Sequence, residues 1–203
     1  MPDYSFEKNA WKLGHQLVVG IDEAGRGPLA GPVSAAAVLL PKGFKHSLLD
    51  DSKKLSEKKR DLIYDDLMAD DRIVWGHAYA DAEEIDSINI LKATHAAMAR
   101  AVDALKLEAP YCLIDGLAVP NFPYESEGIV KGDSKSMSIA AASIIAKVKR
   151  DRAMVDYAEQ FPGYGFERHK GYGTKAHLEA LRSLGPCPIH RRSFAPVAQL
   201  ELF

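Results

Sequence analysis

The chain is short of cysteine, of long apolar runs and of net charge, and each shortage closes off a class of protein. Cys112 and Cys187 are the only thiols in 203 residues, and they have no Cys-x-x-Cys spacing. Neither a disulfide framework nor a thiolate zinc site is expected, and both cysteines read as buried or idle. No apolar stretch approaches the roughly 20 residues needed to cross a bilayer. The start of the chain, with Asp3 and Glu7, lacks the basic-then-apolar order of a secretory signal. The expectation is therefore a cytoplasmic protein with no membrane partner. At 47% hydrophobic and 27% charged residues the composition is that of a globular protein with a substantial core. We expect one principal domain over 1–203, with a helical and loop extension from about 162 and a free tail at 195–203.

The formal charge of −2 conceals a division along the chain. Residues 1–130 carry 14 Lys+Arg against 21 Asp+Glu, whereas residues 131–192 carry 12 against 6, and Glu201 supplies the last unit. The second part can present a basic surface to a nucleic acid, although a run of this kind is commonly just a solvated helix face.

What stands out is Asp22-Glu23, which closes the apolar run 17–21 and leads straight into Ala24-Gly25-Arg26-Gly27-Pro28. Two carboxylates at a strand end suit a hard cation. The glycines allow a ligand close to the backbone, and Arg26 offers a planar cation for phosphate, so phosphoryl transfer is the first hypothesis. A solvated turn is the plain alternative for these residues alone. A dinucleotide loop should open into a helix, but Pro28 and Pro32 direct this one into a second apolar stretch, 33–40. No Gly-Lys-Ser/Thr follows the glycines, which removes a P-loop.

Strands are expected at 17–21, 33–40, 73–80 and 111–114. The polar turn Asp51-Ser52-Lys53-Lys54-Leu55 precedes a helix from about Ser56, with Leu62, Ile63 and Leu67 on its apolar side. One long helix is expected from Asp81, with Ile88, Leu91, His95, Met98, Val102 and Leu105 on its buried stripe, so His95 reads as a packed core histidine. The strand at 111–114 ends in Asp115-Gly116, repeating the Asp22 arrangement. Lys131-Gly132-Asp133 precedes an alanine-rich helix opened by Ser138 and packed tightly on the sheet, with Lys149, Arg150 and Arg152 emerging toward its end. Beyond it, 163–174 interleaves glycine, aromatic and basic residues, a composition suited to stacking on sugars or bases. A glycine-rich turn anchored by packed tyrosines fits it equally. A short helix follows from Thr174.

Asp22, Glu23, Asp115 and Asp133 suffice to hold two divalent cations through oxygen ligands. Such ions, about 3.5–4 Å apart, activate a water and stabilise the leaving oxygen in a phosphodiester displacement. Without metal, four clustered carboxylates would repel one another and raise at least one pKa.

The chain resembles the type 2 ribonucleases H, the ribonuclease HII family. The resembling segments are Asp22-Glu23-Ala24-Gly25-Arg26-Gly27-Pro28, Asp51-Ser52-Lys53-Lys54-Leu55, Ile114-Asp115-Gly116, Gly132-Asp133 with the alanine-rich helix to Arg150-Asp151, His169-Lys170-Gly171-Tyr172-Gly173-Thr174 and His190-Arg191-Arg192-Ser193-Phe194. The resemblance implies an α/β, RNase H-like fold, a mixed β-sheet flanked by helices with a small helical C-terminal part. It implies an endonuclease that hydrolyses RNA in RNA/DNA hybrids and cuts on the 5′ side of ribonucleotides embedded in duplex DNA, leaving 3′-hydroxyl and 5′-phosphate ends. Asp22, Glu23, Asp115 and Asp133 match the catalytic, metal-binding acids, with Mg²⁺ or Mn²⁺ as the ions. Gly25, Arg26 and Gly27 match the segment that contacts the ribose 2′-hydroxyl and its phosphate, and Tyr172 matches the tyrosine that senses the RNA-to-DNA junction. Lys53, Lys54 and Lys170 are candidate phosphate contacts, and a monomer is implied.

One departure is Leu117, where the family commonly has asparagine, so the loop after Asp115 must be held differently. About 16 residues precede the first expected strand, too few for the extra N-terminal domain of type 3 relatives, which favours type 2. Gln199-Leu200-Glu201-Leu202-Phe203 resembles the short peptides that bacterial repair proteins insert into the replication sliding clamp. A tail folded back on the domain is the alternative. The rival functions are another RNase H-like nuclease, such as a type 1 or type 3 enzyme or a junction resolvase, and a non-catalytic nucleic-acid-binding protein with a structural ion.

Overall fold

The computed structural model describes residues 1–49, 52 and 55–202, the last two by backbone alone. Lys53, Lys54 and Phe203, three of the expected site residues, lie outside this set. Among the described residues five strands form one sheet: β1 Val18–Ala24, β2 Val33–Leu39, β3 Val74–Ala80, β4 Tyr111–Asp115 and β5 Ser126–Ile129. Their spatial order is β3-β2-β1-β4-β5. β1 and β2, and β2 and β3, pair antiparallel, whereas β1 with β4 and β4 with β5 pair parallel. The expected mixed sheet is thus present.

Its strands read as near-continuous apolar runs because helices cover both faces. In β2, Ala35 and Ala37 enter a core with α3 Ala82–Ile88 and α4 Ile90–Asp103, while Ala36 and Val38 enter another with α2 Glu57–Ala69 and α5 Met137–Gln160. Helix α1, Ser5–Lys12, packs near one edge beside Leu113 and Ile129. Among the described residues no helix is long and apolar enough to cross a membrane.

Several expectations are corrected. The helix from Asp81 is two helices. Asp81 caps α3 as expected, by accepting from the Glu84 N–H at 2.8 Å. Asn89 then takes φ +71° and caps α4 through the Leu91 and Lys92 N–H groups. With ψ at 160° this is a backbone that residues other than glycine rarely adopt, and the side chain's two bonds to the helix start help to hold it. Ile88 and Leu91, beside the break, are exposed and His95 is half-buried instead of packed in the core, whereas Met98, Val102 and Leu105 of the expected stripe are buried together with Ala93, Ala97 and Ala101. β1 runs on through Asp22 and Glu23, and α5 is capped by Ser136, not opened at Ser138. Strand β5 and helix α1 carried no clear pattern and were not expected. Arg150 is fully buried, although it was expected to emerge from its helix. The described part of the proposed free tail, 195–202, is folded: a helical turn Ala195–Ala198 and a 3₁₀ turn Gln199–Leu202 follow, with Val197 buried against Leu29 and Leu181 and Leu200 beside them.

The alanine-rich first half of α5 is buried on every side, residues 137–146 included. Small side chains bring its backbone onto β1, and a β-carbon at Gly20 would lie 2.1 Å from the Ser138 carbonyl carbon. Glu7, from α1, supports the same helix end. Its Oε1 accepts from the Ser138 N–H at 2.9 Å and from the hydroxyls of Ser136 and Ser138 at 2.6 and 2.7 Å. A carboxylate here satisfies donors that a helix start leaves unpaired and lies at the favourable end of its dipole.

Gly20→Ala should therefore destabilise by about 3 kcal/mol, the upper end for core overpacking, because the obstacle is backbone and cannot rotate away. A thermal melt should show a Tm lower by roughly 10 °C. An unchanged Tm would contradict the close approach.

Candidate active site

Three elements deliver carboxylates to one place. β1 and β4 are adjacent and parallel, with Ile21 opposite Ile114, so Asp22 and Asp115 emerge side by side at the carboxyl ends of neighbouring strands. Asp133 comes from a 3₁₀ turn, Gly132–Ser134, just before α5. The turn is tied to β4 by a 2.6 Å hydrogen bond from the Gly132 N–H to Asp115 Oδ1. One carboxylate oxygen from each of Asp22, Asp115 and Asp133 lies within 4.8 Å of the others. Asp22 and Asp133 are buried and Asp115 is half-buried.

Glu23 is not in that trio. It lines the cleft alongside Asp22, and its Oε1 lies 3.3 Å from Arg26 Nη1. The cleft encloses about 370 Å³ and is lined by Asp22, Glu23, the 24–27 turn, Ser52, Lys147 and Tyr172. Of the expected substrate-contacting residues, Gly25, Arg26, Gly27 and Tyr172 are thus brought together. Lys170 is not, because its ammonium donates to the Glu167 carbonyl of its own loop. Leu200, from the proposed clamp peptide, packs elsewhere, beside Leu29 and Leu181.

Lys147 was missed by sequence reasoning. It sits in the buried alanine-rich run, yet its side chain reaches the cleft and donates to Asp151 Oδ1 at 2.7 Å. The i,i+4 spacing of Lys147 and Asp151 was the available signal. Ser52, in the polar turn before α2, also lines the cleft. Its N–H donates to Ser143 Oγ, and Arg60 Nη1 donates to the carbonyls of Ser52 and Leu55, which anchors this wall. Leu117 is 79% exposed. Its loop is held by backbone packing, since a β-carbon at Gly128 would lie 2.3 Å from the Ala118 nitrogen.

Asp22 has its pKa raised well above the ordinary carboxylate value, first by burial and then by the charges of Glu23, Asp115 and Asp133, against one opposing hydrogen bond from the Glu23 N–H. A buried all-oxygen set with this much unfavourable charge fits hard divalent ions such as Mg²⁺ or Mn²⁺. Burial also pushes His190 down to about 4 and lowers His177, which favours the neutral imidazole at both positions behind Tyr172.

Residues 19–197 match the family model described as Ribonuclease HII. A ribonuclease HII of Bacillus licheniformis is 55% identical over 197 residues, covering 97% of this chain and 76% of its own. The ribonuclease H2 of Pyrococcus horikoshii OT3 has the same fold, with a TM-score of 0.75 at 24% identity over 91% of this chain and 97% of that one. The ribonuclease HII of Archaeoglobus fulgidus, solved as a complex with PCNA, gives a TM-score of 0.72 at 26% identity over 91% and 96% of the two chains.

Asp22→Asn should make the metal-free fold more stable. With its pKa raised on folding, Asp22 contributes most favourably below its unfolded value of about 3.9, and that contribution is lost as pH rises toward the folded value. Melts in chelator should show the variant's Tm advantage over the parent growing from acid to neutral pH. A parent as stable as the variant at neutral pH would show that Asp22 carries no such penalty.

Proposed function

The chain belongs to the ribonuclease HII family, and we propose that it hydrolyses the RNA strand of RNA/DNA hybrids and cuts on the 5′ side of ribonucleotides embedded in duplex DNA. The observation that carries this reading is the convergence of Asp22, Asp115 and Asp133 within 4.8 Å at the edge of a cleft that also holds Arg26 and Tyr172. A phosphodiester in that cleft would meet carboxylate-held cations on one side and a planar cation and an aromatic ring on the other.

Asp22, Asp115 and Asp133 would hold Mg²⁺ or Mn²⁺, with Glu23 beside them. Bound there, the ions supply water activation and stabilisation of the leaving oxygen. The protein's own groups select and orient the strand. Arg26, exposed on its turn, can bond a phosphate oxygen and the neighbouring 2′-hydroxyl, the group that separates RNA from DNA. The Tyr172 ring, 45% exposed, offers a face to the sugar or base at the junction. Lys147 adds a positive charge to the same cleft wall.

We further propose that residues 199–203 dock on a sliding clamp. The motif itself and the clamp complex of the Archaeoglobus fulgidus neighbour support this. Docking would draw Leu200 away from Leu29 and Leu181, a small apolar contact at a chain end.

A duplex carrying a single ribonucleotide should be cut on its 5′ side in Mg²⁺ or Mn²⁺ and left whole in chelator. Asp133→Asn should lower kcat/KM by at least about 100-fold, since losing a ligand should match or exceed the loss of a group that merely orients one. Activity indifferent to chelator and to this substitution would favour a non-catalytic binding protein, and cleavage confined to long hybrids would favour another RNase H class. For the tail, deletion of 199–203 should abolish clamp binding while sparing cleavage of the free duplex. Undiminished clamp affinity would remove that part of the reading.

A further inference from the structure

The two parts assigned above to ribonucleotide recognition, the 25–27 turn and Tyr172, lie outside any helix or strand. They face each other, since a β-carbon at Gly27 would lie 3.9 Å from Tyr172 Cε1. Both are held by side chains from two consecutive residues, His190 and Arg191.

Arg191 is fully buried and spends its guanidinium on backbone oxygens. Nε donates to the Gly31 carbonyl at 3.0 Å, Nη1 to Arg26 at 2.9 Å, and Nη2 to Gly25 at 2.6 Å and Gly31 at 2.8 Å. Drawing the Gly25 and Arg26 carbonyls inward points the N–H groups of Arg26 and Gly27 the opposite way, because each peptide unit is planar and trans. Among the described residues no backbone carbonyl accepts from either N–H. His190 works on the other side. The Cys187 N–H donates to its Nδ1 at 3.0 Å, so the proton is on Nε2, which donates to His177 Nε2 at 3.1 Å. His177 then carries its proton on Nδ1 and donates to the Tyr172 carbonyl at 2.9 Å. A carbonyl only accepts, so one arrangement of protons satisfies the whole chain. Arg150 closes the frame by donating to the carbonyls of Pro32, Ala30 and Lys170.

We propose that Arg191, His190 and His177 are positioning residues for ribonucleotide recognition, fixing the 25–27 turn and Tyr172 at the separation that reads a single 2′-hydroxyl. None of the three needs to touch the substrate. The proposal rests on the recognition roles given above to Arg26 and Tyr172.

The test compares kcat/KM on a duplex with one embedded ribonucleotide and on a long RNA/DNA hybrid. Arg191→Lys keeps the charge but cannot span three carbonyls, and His177→Gln keeps a donor and an acceptor at a different reach. Each should lower the single-site to hybrid ratio by about tenfold or more, the scale of a displacement of about 1 Å. Mn²⁺ affinity at the carboxylates, titrated without substrate, should stay at the parent value. Combined with Arg26→Ala or Tyr172→Ala respectively, each should add little further loss, because it acts through that partner. His190→Asn replaces either variant if melting shows it unfolded at the assay temperature. An unchanged ratio in folded variants, or fully additive losses in the double variants, would overturn the proposal. If Arg26→Ala and Tyr172→Ala themselves leave the ratio unchanged, the recognition roles fall and the proposal falls with them.

Discussion

At Gly20 the backbone of β1 meets the first turn of α5, so that a β-carbon there would lie 2.1 Å from the Ser138 carbonyl carbon and 2.2 Å from the Ile139 nitrogen. Asp22 is two residues along the strand, and Asp133 precedes the helix by one short turn. The contact therefore sets the distance between two carboxylates more than a hundred positions apart. Everything near it serves that approach. Alanines line the helix, Glu7 satisfies its first donors, and Gly132 binds Asp115 from the connecting turn.

The same closeness is costly to the metal-free protein. Asp22 is withdrawn from water among three other acids, and its raised pKa records the penalty. The fold tolerates this because the large core on both faces of the sheet does not depend on the site. A second concentration of charge lies behind the cleft, where Arg150 and Arg191 are both fully buried and bonded to carbonyls. Backbone oxygens supply partial negative charge in fixed places, which suits a guanidinium better than an ammonium because its donors fan out in one plane. These arginines are also why the second part of the chain is less basic at its surface than its composition suggests.

Legibility followed the range of the interactions. Strands such as β2 and helix starts such as Ser56, Asp81 and Thr174 could be read because apolar periodicity and capping act over a few residues. The break at Asn89 was overlooked because helical spacing continues across it, and only a backbone turn shows that Ile88, Leu91 and His95 leave the core. Lys147 was hidden in a helix that looked wholly structural, and Arg150 looked exposed because charged residues near a helix end commonly are.

Taken alone, the sequence determined the kinds of chemistry present: acids at strand ends, glycines beside an arginine, an aromatic and basic loop, and family motifs in order along the chain. Those depend on residue identity and short spacing, which a linear reading retains. Tertiary structure decided which of them meet. Asp22, Asp115 and Asp133 converge while Glu23 stands at the cleft wall, Lys170 turns away, and Arg191 reaches back across more than 100 residues to bond the 25–27 turn. Convergence of this kind depends on strand order and on how closely a helix can approach a sheet. Both arise from packing between distant segments, which no local pattern records.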